Sequence, residues 1–202
     1  MSANTRALTK GESNLTASES YTDHQGRSDP TPVTPYRLER PAVKDAAQIH
    51  DLIACCKPLD VNSTYAYLLL CLHFRDTCVV ARSSAGIAGF VSAYIPPQSP
   101  DTIFVWQVAV HPDAQGAGLG KRMLRELLGR ESLSAVSYLE TTVSPTNAPS
   151  RRMFLSVSRA LSCACREQLL FDEVAFGGEQ HEAEVLLKLG PFESLNRKRR
   201  SA

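Results

Sequence analysis

The sequence predicts one α/β domain with mixed strand pairing, and three observations carry that expectation. Between Tyr36 and Pro191, hydrophobic periods of two residues and of 3.6 residues alternate. Thr102–Val110 is a near-continuous apolar run, the pattern of a strand buried on both faces. A glycine-rich turn then joins that strand directly to an amphipathic stretch, as in a strand-to-helix unit.

Taken in order, Tyr36–Arg40 reads as a short strand. Val43 to Cys56 follows helical spacing through Val43, Ala46, Ile49, Leu52, Ile53 and Cys56. Thr64–Phe74 is a second helix. Thr77–Arg82 and Ile87–Ile95 are strands joined by a Ser-Ser-Ala-Gly hairpin signal. After the central strand come a helix at 118–130, a strand at 136–142 and a helix at 147–158. Two more extended stretches follow, at about 164–172 and 183–189. No internal repeat interrupts this order.

The ends differ from the middle. Residues 1–35 are rich in Ser, Thr, Asn, Gly and Pro, and bury too little apolar surface to offset their ordering entropy, so a disordered arm is expected. The domain is expected at 36–191, with a basic tail at 192–202. Arg197-Lys198-Arg199-Arg200 lacks aromatic interleaving and reads as a solvated terminus rather than a nucleic-acid contact.

Composition narrows the function classes. A net charge of +1 gives no bulk attraction to nucleic acid or to a membrane surface. The chain has six cysteines without a CxxC pair, and no apolar leader, so reduced thiols in a soluble cytoplasmic protein are expected. No histidine cluster accompanies Cys163 and Cys165, and no metal is expected.

Gln115-Gly116-Ala117-Gly118-Leu119-Gly120-Lys121 places three glycines at the opening of a helix. The first N–H groups of a helix are unpaired and lie at the positive end of its dipole, so they form an anion site. Absent Cβ atoms would let a pyrophosphate approach the main chain. The loop has no GK[ST] ending, and its spacing is not GxGxxG, so neither a Walker loop nor a dinucleotide fingerprint fits. Close helix packing would explain some of the glycines equally well.

The Q-x-x-G-x-G segment after Val108-Ala109-Val110-His111-Pro112 resembles the acyl-CoA motif of the GCN5-related N-acetyltransferase superfamily. The likeness runs in the family's element order from Arg40-Pro41-Ala42 to the last strand. It implies a mixed, largely antiparallel sheet flanked by helices, with a splayed cofactor cleft. It further implies that Gln115, Gly116, Ala117, Gly118, Leu119, Gly120 and Lys121 hold the pyrophosphate of acetyl-CoA. Main-chain groups of Val108, Ala109 and Val110 would meet the pantetheine arm, and Asn147 and Ser150 would touch the cofactor. Phe154 stands where many relatives carry a tyrosine that protonates the departing thiolate, so that donor is in doubt here. A homodimer is also implied.

Three stretches, Pro58–Tyr67, Val105–Val110 and Leu139–Asn147, resemble the diaminobutyrate acetyltransferases within that superfamily. The resemblance implies acetyl transfer to the 4-amino group of L-2,4-diaminobutyrate, with Asp60, Tyr65, Trp106 and Thr142 at the acceptor. Three of them have an ordinary alternative: Asp60 a turn former, Trp106 core packing, and one of Tyr65 and Tyr67 a core residue, since positions two apart on a helix cannot share a face. Glu140 ends a buried strand, where a carboxylate rarely sits unless paired or functional. Partial burial would suit it to take a proton or to bind the acceptor. His181 and Glu182 follow a flexible Gly177-Gly178 and could cover the site. Another small amine, a protein terminus, or an acyl-CoA sensor without turnover are the rival readings.

Overall fold

The structure, a computed structural model, describes residues 36–177 and 181–195. The arm expected at 1–35, Gly178 and the basic run 197–200 lie outside the described residues.

Seven strands form one sheet: β1 (Arg37–Glu39), β2 (Val79–Ser83), β3 (Gly86–Tyr94), β4 (Thr102–Val110), β5 (Tyr138–Val143), β6 (Cys165–Phe171) and β7 (Glu184–Leu189). Their order is β1-β2-β3-β4-β5-β7-β6, and only the β4–β5 pair is parallel. The helices are α1 (Ala46–Ala54), α2 (Thr64–His73), α3 (Leu119–Leu128) and α4 (Ala148–Ala160). The helix expected from Val43 begins as a 3-10 turn at Val43–Asp45. Buried Asp45 accepts the Ala42 N–H at 2.9 Å and pairs with Arg82 at 3.0 Å.

Two cores lie on opposite faces of the sheet. On one face, α3 and α4 bury Leu119, Met123, Leu124, Leu127, Phe154 and Val157 against Val79, Val91, Ile103, Val105 and Leu139. On the other, α1 and α2 bury Ile49, Ile53, Tyr67 and Leu70 against Val80, Phe90 and Ala109. The packed chain runs beyond the boundary expected at 191. Phe192 and Ser194 are buried, Leu195 packs on the first core, and the Phe192 N–H donates to Ser137 O at 2.9 Å.

The feature that positions the site is a splay. β4 and β5 pair only through Thr102↔Tyr138, Ile103↔Leu139 and Phe104↔Glu140. Beyond that row the strands part, leaving the edge of β4 from Val105 onward unpaired on that side.

Arg130 ties the second layer together. It is 6% exposed, and its Nη1 donates to the carbonyls of Asp76 and Cys78 at 2.8 Å and of Arg75 at 3.4 Å. Burial pushes its guanidinium below the ordinary arginine value. Arg130→Met would leave those carbonyls unpaired, and a loss on the order of 3 kcal/mol is expected in denaturant melts. A midpoint unchanged from the parent would show that the bonds contribute nothing net.

Candidate active site

Between the splayed strands opens a cleft of about 480 Å³, lined by Val108, Val110, Leu119, Asn147, Ser150 and Met153, by the glycine loop, and by Cys56 to Leu59. Gly116 and Gly118 have φ of +80° and +71°, the left-handed region that favours glycine. Gly118 is the N-cap of α3, and a Cβ there would meet nothing closer than Lys121 Cε at 3.8 Å. The loop therefore turns its main chain to open space, as an anion cradle requires. Gly120 has a different reason. A Cβ there would stand 2.8 Å from Met153 Sδ, so this glycine lets α3 and α4 approach.

Several residues expected on the cofactor make local bonds. Gln115 Nε2 donates to Val110 O at 3.1 Å and closes the strand-to-helix turn. Asn147 caps α4, its Oδ1 accepting the Ser150 N–H at 3.2 Å, and both line the cleft. Lys121 Nζ bridges to Ser156 Oγ at 3.3 Å. With Ala117, Arg122 and Arg125 it borders a groove of about 680 Å³ between α3 and α4. The Ala109 side chain enters the second core, so only its main chain is available to the cleft. Phe154 is buried in the α3–α4 core and is not among the residues lining the cleft, whereas Met153 is.

Of the residues expected at the acceptor, Glu140 and Thr142 lie on β5 where it parts from β4, and none of the five is among the residues lining the cleft. Glu140 lies in the last paired row, and Thr142 follows on the same face of the diverging strand. Glu140 is mostly buried, and its Oε1 accepts from Lys188 Nζ at 2.7 Å. The pairing that a buried carboxylate requires comes from Lys188, its antiparallel partner on β7. Lys188 Nζ also lies 4.8 Å from the Tyr138 ring centroid. Trp106 is 45% exposed at a bulge in β4, and is not core packing. Tyr67 is the core tyrosine of its pair; its hydroxyl accepts the Asn62 N–H at 3.2 Å, while Tyr65 is exposed at the start of α2.

Asp60 sits on the loop before α2 with its carboxylate 85% exposed. His181 Nε2 lies 3.8 Å from Asp60 Oδ2, and its ring stacks on Phe176 at 3.9 Å. Donation to the Glu182 carbonyl, helped by the charges of Asp60 and Glu184, pushes the imidazole above its ordinary value. The pair with Asp60 is thus held below that raised value and lost as pH rises through it. The Thr146 hydroxyl and N–H donate to Glu182 at 2.6 and 3.2 Å and hold its carboxyl below the usual range. These links tie the β6–β7 connection to both the acceptor loop and the start of α4. Lys188 carries no sequence signal, and the partners of His181 and Glu182 likewise depend on which segments become neighbours.

The chain matches the acetyltransferase (GNAT) family over residues 46–157, and it belongs to that family. It is 50% identical over 166 residues to the L-2,4-diaminobutyric acid acetyltransferase of Bordetella parapertussis, covering 82% of this chain and 89% of that protein. With the enzyme of that name from Halomonas elongata it shares 40% identity over 162 residues, 80% of this chain and 84% of the other. A solved structure of diaminobutyrate acetyltransferase EctA from Paenibacillus lautus, in complex with L-2,4-diaminobutyric acid and coenzyme A, superposes with a TM-score of 0.75 at 39% identity. The match covers 78% of this chain and 95% of that one.

Proposed function

We propose that the protein transfers the acetyl group of acetyl-CoA to the 4-amino group of L-2,4-diaminobutyrate. The observation that carries this reading is the likeness, across most of both chains, to an enzyme solved with that amine and coenzyme A. The cleft fits the cofactor on its own evidence: left-handed glycines at a helix start with open space over them, beside an unpaired strand edge. The basic groove of Lys121, Arg122 and Arg125 suits the phosphate-bearing nucleotide end.

In this reading Asp60 and Trp106 hold the zwitterionic head of the acceptor, with Tyr65 and Thr142 beside it. The 4-amine, once deprotonated by way of Glu140, attacks the acetyl carbon. The new C–N bond forms as the C–S bond breaks, and the departing thiolate takes a proton from solvent, since Phe154 has none to give. A main-chain N–H near Val108 stabilises the oxyanion, and the cleft keeps the reactants close. Cys56 lines the cleft but is no nucleophile: burial pushes its thiol up, and its Sγ donates to Val110 O at 3.3 Å.

The product, N4-acetyl-L-2,4-diaminobutyrate, is the acetylated precursor of the compatible solute ectoine, which places the reaction in an osmotic-stress response. Six free thiols support a cytoplasmic setting, and no helix among the described residues is long and apolar enough to cross a membrane. A second copy of the chain would cover Leu169, Leu170, Phe171 and Val174, exposed on and after edge strand β6, to make a homodimer. Thiol release with a panel of amines, with NMR assignment of the acetylated nitrogen, tests the activity. Turnover confined to diaminobutyrate at its 4-nitrogen is expected; acetylation of the 2-nitrogen would sink the clamp, and no turnover with any amine would leave an acyl-CoA sensor.

A further inference from the structure

The bulge in β4 does more than expose Trp106. Ser92 pairs with Gln107 and Ala93 with Val105, so Trp106 has no partner on β3. One extra residue reverses the alternation of the strand. Val105 faces the α3–α4 core, and in an unbroken strand Gln107, two residues on, would face it too. Instead Val108 packs on that core, and Gln107 turns to the α1–α2 side with Ala109.

There Gln107 is 5% exposed, and its Nε2 donates to the main-chain carbonyl of Asp60 at 2.9 Å. The amide orientation follows from that partner, because a carbonyl can only accept. The Asp60 loop has two local anchors, Leu59 N–H to Cys56 O at 2.9 Å and Asn62 N–H to the Tyr67 hydroxyl. Gln107 joins Asp60 itself to β4, while Cys56 Sγ on Val110 O holds only the start of the connection to that strand. Its Oε1 and the hydroxyl of Ser92, its register partner, are buried without hydrogen-bond partners among the described residues. A glutamine in that spot carries a desolvation cost that an apolar side chain would avoid, which argues for a positional role rather than packing.

We propose that Gln107 is a positioning residue, which clasps the acceptor loop to the cofactor strand and so sets where the Asp60 carboxylate meets the amine substrate. The proposal rests on the acceptor reading above and adds a residue that is not among those lining the cleft. It links the two halves of the site through one interior hydrogen bond, donated from a side chain that the bulge re-aims.

Gln107→Met keeps the volume and removes the donor. Its KM for diaminobutyrate is expected to rise about tenfold, with kcat changed less than about threefold and acetyl-CoA affinity by calorimetry held. Hydrogen exchange across residues 57–63 is expected to speed up. Gln107→Glu adds a pH readout: the neutral acid can donate to the Asp60 carbonyl, and the carboxylate cannot. The ratio of its acceptor KM to that of the parent enzyme is expected to fall toward one as pH is lowered, while the Met variant's ratio stays flat. Gln107→Asn, a methylene too short to reach, serves where the Met variant does not fold. Unchanged loop exchange overturns the clasp, as does a lower melting temperature with acceptor KM unaltered at every pH. Failure of the parent enzyme to acetylate diaminobutyrate would sink the acceptor reading, and loop exchange would still judge the clasp.

Discussion

Glu140→Gln is expected to lower kcat by about 10²–10⁴-fold, the range for losing a general base, with acetyl-CoA affinity unchanged. The carboxylate stands in the row where β4 and β5 last pair, on the face of Thr142. Gln preserves the shape, and its amide oxygen can still accept from Lys188 Nζ, now 2.7 Å from Oε1, so the fold should hold. What the amide cannot do is take a proton from the attacking ammonium. Raising the pH increases the free-amine fraction and should recover part of the loss. Steady-state kinetics over pH read both effects. A variant with normal kcat and a raised acceptor KM would make Glu140 a binding group, and one with both parameters normal would return it to the Lys188 pair alone.

Gly118→Val should weaken acetyl-CoA binding about 100-fold by calorimetry, equivalent to removing one or two charge-assisted hydrogen bonds. At φ +71° a β-branched residue carries strain on the order of 1–3 kcal/mol. Its side chain would stand in the open space over the first N–H groups of α3, where Cβ meets only Lys121 Cε at 3.8 Å. The damage should thus fall on the ligand more than on packing, with a modest drop in melting temperature. Gly120→Ala is the contrast. Its Cβ presses on the flexible end of Met153, so a small stability change and near-normal affinity are expected. Equal affinity in the Gly118→Val and parent proteins would remove the loop from the cofactor site.

Every helix and strand expected from hydrophobic period is present within a few residues at each end, because period reports which side of an element is buried. Phase was harder at α4. Phe154, Val157 and Leu161 form the buried stripe, while Pro149, Ser150 and Met153 face the cleft. A one-residue difference separates Met153 from Phe154, and helical spacing alone does not say which face meets the core. Phe192, past the boundary expected at 191, is legible only in the fold for a related reason: it is an isolated apolar residue whose neighbours, Ser137 among them, are distant in sequence.

By itself the sequence determined the order of elements and the glycine loop at a helix start, because these are local in spacing or carried by contiguous motifs. The tertiary structure alone decided the partners. Strand order set Lys188 against Glu140, the β6–β7 connection brought His181 to Asp60, and one unpaired residue at Trp106 turned Gln107 from one face of the sheet to the other. Side chains on a strand have a period of two, so a single bulge or a change of neighbour reassigns them, and neither is encoded in any one stretch of chain.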